Sequence, residues 1–86
     1  MKVIVPNKNQ KFLDKLDEKT RLRLIQVLEY LETNPTPYSE FDLEKMAGPK
    51  HVYRIRKGDF RIVYYISNET GQIIITDITR REQAYK

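Results

Sequence analysis

The chain has 86 residues, enough for one modest hydrophobic core, and we predict a single domain over residues 1–86. A composition of 40% hydrophobic and 33% charged residues is typical of a folded, soluble protein and argues against disorder. The absence of cysteine excludes disulfides, thiolate catalysis and zinc-finger ligation, and one histidine, His51, cannot build a metal site alone. The apolar run before Pro6 is too short for a signal peptide, and no later run has the length of a membrane span. We therefore expect a cytoplasmic protein that does not contact the membrane.

The net charge of +4 is distributed unevenly along the chain. Residues 1–49 carry eight basic and eight acidic side chains, whereas residues 50–86 carry eight basic against four acidic ones. All of the excess positive charge therefore lies in the second half, which predicts a polyanionic partner for that half.

The first half predicts a short strand and two helices. Lys2–Val5 is β-prone, and Asn7 with Gln10 has the spacing of a capping box at the start of a first helix of two to three turns. Asp17 can cap a second helix, whose apolar residues follow the i, i+3, i+4, i+7 pattern: Leu24, Val27, Leu28 and Leu31. The two helices, joined by little chain, should form an antiparallel hairpin.

The sequence NPTP over residues 34–37 ends the second helix, since proline lacks an amide proton and the residue before it avoids the α region. The signals that follow are mixed. Ser39 or Asp42 can start a helical turn through Leu43 and Met46, which Gly48 and Pro49 would end.

From residue 52 the pattern alternates with the period of a β-hairpin, VYRIRKGDFRIVYYI. We predict strands over Val52–Lys57 and Phe60–Ile66 joined by a type II′ turn at Gly58 and Asp59, then a third strand over Gln72–Thr79. With the N-terminal strand, the predicted fold is α+β, in the order β-α-α-β-β-β, with the helix hairpin packed on a small, mostly antiparallel sheet.

A two-residue turn places Arg56 opposite Arg61 and puts Arg54 on the same face of the hairpin. The other face carries the apolar set that would receive the helices: Tyr53, Ile55, Phe60, Ile62, Tyr64 and Ile66. Two arginines directly across a strand pair repel each other by about 0.2–1 kcal/mol, which a bound anion would relieve. Such arginines can also simply cover a solvated sheet face. Their clustering favours the anion site, and their bidentate geometry favours phosphate.

The stretch LEKMAGPKHVYRIRKGDFRIVYYI, followed by IIITDITRREQAY, resembles the RelE/ParE superfamily of toxin–antitoxin systems over nearly the whole chain. In the RelE branch the resemblance implies a toxin that enters the ribosomal A site and cuts mRNA without a metal or other cofactor. The ribose 2′-hydroxyl attacks the adjacent phosphate and leaves a 2′,3′-cyclic phosphate and a 5′-hydroxyl.

The resemblance also implies roles for individual residues. Arg54 and Arg56 would position the RNA and help to activate the 2′-hydroxyl, and Arg61 would stabilise the charge of the phosphorane-like transition state. Arg81 would protonate or steady the leaving oxygen, and Tyr85 would stack on a base beside the scissile bond, although a filler role for Tyr85 is equally open. Further RNA contacts are expected from the neighbouring basic residues: Lys50, Lys57 and Arg80.

Two positions depart from the family pattern. Arg56 stands where relatives often have lysine, and because an arginine side chain stays protonated it is a poor proton acceptor. We expect it to hold an oxygen electrostatically while the proton passes to water, ribosomal RNA or Tyr85. Arg80 stands where relatives often have histidine, and whether Arg80 or Arg81 faces the substrate stays open.

The expected partners are a RelB-type antitoxin, the ribosome with its mRNA and ribosomal RNA, and promoter DNA reached only through the antitoxin. The toxin alone should be a monomer, with a heterotetramer expected only by analogy once antitoxin is bound. Two alternatives remain: a ParE-like inhibitor of DNA gyrase, and a nucleic-acid-binding module without catalysis.

Overall fold

A computed structural model of the chain describes residues 1–48 and 51–80. Within these residues, two helices and five strands follow one another in the order β1 (Lys2–Ile4), α1 (Asn7–Asp14), α2 (Glu18–Thr33), β2 (Asp42–Lys45), β3 (Val52–Lys57), β4 (Phe60–Ser67) and β5 (Gln72–Arg80). The strands form one sheet in the order β1-β5-β4-β3-β2. Among these described strands, the β1–β5 pair is parallel and the other three pairs are antiparallel. The predicted α+β fold is confirmed.

The segment between α2 and β3 differs from its prediction. Asp42–Lys45 is a β-strand rather than a helical turn, so the sheet has five strands and not four. Four residues carry too little periodicity to separate a strand from a helical turn. The segment forms a strand because its backbone groups pair with the open edge of β3. In this position Leu43 also packs against the core.

The two helices begin differently. The backbone N–H of Thr20 donates to the Asp17 carboxylate over 3.2 Å, so the predicted cap of α2 is confirmed. The predicted capping box of α1 is wrong, because Pro6 is the N-cap residue and no side-chain cap hydrogen bond forms. The helix instead begins with the backbone N–H groups of Asn9 and Gln10 donating to the Pro6 carbonyl.

The helices pack on one face of the sheet. The predicted apolar face is confirmed, since its residues are buried together with the apolar stripes of both helices. The phenol of Tyr64 donates to the Pro35 carbonyl over 2.7 Å, and burial raises its pKa. The chain that follows α2 is thereby attached to the centre of the sheet.

A buried asparagine, which the sequence pattern did not single out, completes one edge of the sheet. Asn9 is 1% exposed. Its Nδ2 donates to the Ile75 carbonyl over 2.9 Å, and its Oδ1 accepts from the Ile78 N–H over 3.1 Å. The pairing of β1 with β5 ends at Ile74, so the Asn9 side chain continues the edge beyond β1. It does so beside the register shift of the β4–β5 ladder.

The hairpin turn forms as predicted. Gly58 has φ of 60°, and among the described residues no residue other than glycine has a positive φ, which is the combination of a type II′ turn. Lys57 lies opposite Phe60, which confirms the predicted register of β3 and β4.

Candidate functional site

Three arginines share the face of the sheet that points away from the helices. Arg56 lies opposite Arg61, and Arg54 lies opposite Val63 in the same ladder. On its other side, Arg61 is paired with Thr79 of β5. We call Arg54, Arg56 and Arg61 the arginine face. The sequence predicted this grouping from the two-residue turn, and the observed register confirms it.

The edge strand β2 brings two carboxylates to the arginine face. The Asp42 carboxylate accepts a hydrogen bond from Nε of Arg56 over 2.9 Å, and the same oxygen forms an ion pair with Nη2 of Arg56 over 2.9 Å. The Glu44 carboxylate accepts from Nη2 of Arg54, whose Nε is buried without a hydrogen-bond partner among the described residues. These carboxylates were missed because the segment was assigned to a helical turn. The alternation of Asp42 and Glu44 around Leu43 was the signal that could have revealed them.

Arg61 is the most enclosed of the three arginines, with 8% of its surface exposed on an inner strand. A cleft of about 250 Å³ beside it is lined by Asp42, Arg56, Gly58, Phe60 and Arg61. Limited solvent contact reduces the screening of the guanidinium charge, so an anion in this cleft would interact with it more strongly than with an exposed arginine.

Two of the predicted RNA-binding residues lie on the opposite side of the hairpin. Arg80 is paired with Phe60, and its guanidinium lies 5.0 Å from the centre of that ring. Lys57, on the same face by register, places its Nζ 5.6 Å from the Phe41 ring. Both residues line a second cleft of about 300 Å³, and Arg23 of α2 lines it too. The sheet therefore separates Lys57 and Arg80 from the arginine face.

The remaining predicted site residues, Lys50, Arg81 and Tyr85, lie outside the described residues. Within the described ranges, no three His, Asp or Glu side chains are grouped as metal ligands would be. Neither described helix has the length and apolar composition to cross a membrane. The arginine face can orient an anion through its paired guanidinium groups, and Arg61 can stabilise negative charge beside it.

Comparison with known proteins identifies the family of the chain as RelE/ParE-type toxins. A family model described as the ParE toxin of type II toxin–antitoxin system, parDE, matches residues 3–85. The chain belongs to this family. The putative toxin RelE1 of Methanocaldococcus jannaschii is 44% identical over 61 residues, which are 71% of this chain and 68% of that protein.

Solved structures extend the similarity to the fold. The RelE–RelB complex from Pyrococcus horikoshii OT3 matches with a TM-score of 0.85 and 28% identity, over 93% of each chain. The RelB–RelE complex from Methanococcus jannaschii matches with a TM-score of 0.76 and 23% identity, over 95% of this chain and 94% of that one. The isolated RelE toxin of E. coli gives a TM-score of 0.76 at 18% identity, over 92% and 82% of the chains. By sequence and fold together, the chain is a toxin of the RelBE type.

Proposed function

We propose that the chain is a ribosome-dependent endoribonuclease that cuts mRNA in the A site and thereby inhibits translation. The observation that carries the proposal is the placing of Arg56 opposite Arg61, with Arg54 beside them, on the outer face of the sheet. Three guanidinium groups on one surface suit a phosphodiester, which offers two non-bridging oxygens to each arginine it meets.

The RNA supplies the nucleophile in this reaction, so the protein must provide orientation and charge stabilisation. Arg54 and Arg56 hold the strand so that the 2′-hydroxyl lies in line with the adjacent phosphorus. As that oxygen attacks, its proton passes to water, ribosomal RNA or Tyr85, and Arg61 stabilises the charge on the pentavalent phosphorus. The P–O5′ bond breaks, and the leaving O5′ takes a proton either from Arg81 or from water while Arg81 steadies the oxygen. The products are a 2′,3′-cyclic phosphate and a 5′-hydroxyl.

A RelB-type antitoxin is the partner we propose for the toxin, because the matching RelE structures from Pyrococcus horikoshii and Methanococcus jannaschii are complexes with RelB. An acidic stretch of the antitoxin would meet the arginine face, or a helix of it would displace the segment containing Tyr85. Promoter DNA would be bound through the antitoxin. Charge reversal at Arg56 and Arg61 should weaken the complex if the first arrangement holds, and unchanged affinity would count against that arrangement.

The decisive experiment is primer extension on an mRNA held in translating ribosomes, with wild-type protein, Arg61→Ala and a ribosome-free control. We expect new 5′ ends at A-site codons with the wild-type protein, and their loss with Arg61→Ala. Glu69→Gln, which changes an exposed residue of the β4–β5 turn, should cleave as the wild type does. A wild-type protein that arrests growth without new 5′ ends would contradict the proposal.

Inhibition of DNA gyrase is the second candidate, favoured by the parDE description of the matching family model. A supercoiling assay with purified gyrase separates the two functions, since the nuclease should leave gyrase unaffected. A non-catalytic binding module would instead retain RNA in a salt-dependent manner and produce no new ends.

A further inference from the structure

The strand β2 presents two carboxylates to the two β3 arginines that were predicted to bind RNA. Asp42 is the direct cross-strand partner of Arg56, and Glu44 is the direct partner of Arg54. Both pairs are also joined by hydrogen bonds between the side chains. The arginine face therefore already holds anions that belong to its own chain.

The Asp42 carboxylate occupies the position that a phosphate oxygen would take. One of its oxygens accepts a hydrogen bond from Nε of Arg56 and lies 2.9 Å from both Nε and Nη2. This edge of the guanidinium is one of the two that can hold a pair of oxygens from a phosphate. A phosphate that binds Arg56 through the same edge must displace Asp42.

The spacing of the two carboxylates matches that of a repeating anion. Asp42 and Glu44 are two residues apart on one strand, so they point to the same face at a separation of ~6.8 Å. Successive phosphates of an extended nucleic-acid strand repeat at a similar distance. Isolated phosphate ions have no such repeat and would have to displace each carboxylate separately.

Both ion pairs contact solvent, which makes them exchangeable. The Arg56 and Asp42 side chains are 51% and 58% exposed, and those of Arg54 and Glu44 are 25% and 60% exposed. Exposed pairs of this kind are weak, so a polyanion that offers several phosphates at once can replace them.

We propose that Asp42 and Glu44 act as internal phosphate mimics that hold Arg54 and Arg56 in place until two successive phosphates of a single strand displace them. They set how strongly the arginine face binds RNA and favour a continuous strand over an isolated phosphate. The inference rests on the proposed function in that it takes the ligand to be an RNA strand.

The test measures the affinity of the protein for an uncleavable 2′-O-methyl RNA hexamer by fluorescence anisotropy at low salt. Asp42→Asn and Glu44→Gln should each tighten binding by about two- to fivefold, the range expected when a weak competing ion pair is removed. The gain should shrink as salt is raised. Glu69→Gln removes the same charge from a turn outside this face and should leave the affinity unchanged.

A double-mutant cycle assigns the effect to the ion pair. Asp42→Asn should have a much smaller effect in an Arg56→Ala background, because the guanidinium that pairs with Asp42 is absent. Equal tightening by Glu69→Gln, or weaker binding by Asp42→Asn in a protein whose thermal unfolding is unchanged, would overturn the inference and leave the proposed function standing. Arg61→Ala binding the hexamer as well as the wild type, or no binding by any variant, would contradict RNA binding by the arginine face itself.

Discussion

At the scale of single residues, Arg61 combines a charge with little solvent exposure. It is 8% exposed, lies on an inner strand, and contributes to the same cleft as Arg56. A charge in such a position is held by the surrounding sheet, so it needs little reorganisation as negative charge develops on a substrate. This makes Arg61 the residue on which the proposed reaction should depend most.

Arg61→Ala should lower the rate of ribosomal mRNA cleavage by about 100-fold or more, the usual effect of losing one donor to a transition-state oxyanion. The cleavage rate of Arg61→Lys should lie between those of the wild type and Arg61→Ala, because lysine keeps the charge but loses the planar, bidentate contact. The rates are measured at saturating ribosomes, after thermal unfolding has shown that both variants are folded. A lysine variant as fast as the wild type would mean that charge alone suffices.

Asp17 determines a pH dependence of stability at the start of α2. The hydrogen bonds from Thr20 lower its pKa below the ordinary value of 3.8. Because the folded-state pKa is the lower one, the contribution of Asp17 is complete above about pH 3.8 and is lost as the pH falls through the folded pKa. Asp17→Asn, which keeps the cap but removes the charge, should be less stable than the wild type at neutral pH and should approach it in acid. Thermal unfolding across this range tests the sign, and a constant difference would refute it.

At the scale of elements, β5 depends on a side chain of α1 for two of its backbone hydrogen bonds. The carbonyl of Ile75 and the N–H of Ile78 lie beyond the last residue pair of β1 and β5. The side-chain amide of Asn9 donates to that carbonyl and accepts from that N–H. Buried backbone groups of this kind are costly when they lose their hydrogen bonds. Asn9 therefore connects the first helix to the strand that pairs with β4 beside the arginine face.

Asn9→Ala should lower the free energy of unfolding by about 2–4 kcal/mol, since it leaves two buried backbone groups without partners. Urea unfolding measures the change. Asn7→Ala, at an exposed position of the same helix, is the matched control and should change stability far less. If Asn9→Ala lowers the free energy of unfolding no more than Asn7→Ala does, water must replace the hydrogen bonds of the Asn9 amide.

At the scale of the whole molecule, the sheet divides the basic side chains that the structure describes in strands β3 to β5 between two faces. Arg54, Arg56 and Arg61 lie on the outer face, whereas Lys57 and Arg80 lie on the helix side, together with Arg23. The net charge of the sequence could not distinguish these two groups. Among these described residues, two arginines lie directly opposite each other in the outer group alone, at Arg56 and Arg61.

Arg80→Ala should therefore reduce cleavage much less than Arg61→Ala at saturating ribosomes. Any effect of Arg80 should appear as a need for a higher ribosome concentration, because its face can contact RNA outside the cleavage site. Steady-state rates over a range of ribosome concentrations separate the two effects. An equal loss of maximal rate in both variants would contradict the assignment of Arg80 to a separate face.

Elements that depend on local rules could be predicted from the order of residues along the chain. The Asp17 cap and the proline stop bound α2, the glycine turn sets the register of the hairpin, and period-two alternation separates the apolar face from the arginine face. These features depend on neighbours within a few residues, so they can be read along the chain. The similarity to known toxins was also visible in the hairpin sequence.

Features that depend on residues far apart in the chain could be seen only in the folded protein. The strand character of Asp42–Lys45 comes from pairing with β3, and the buried position of Asn9 comes from a strand more than sixty residues later. The contact of Asp42 with Arg56 follows from strand order and register. So does the position of Arg80 on the face of the sheet opposite the arginine face. A short polar segment carries no local signal for such partners, because their hydrogen bonds and charges are satisfied only when distant strands meet.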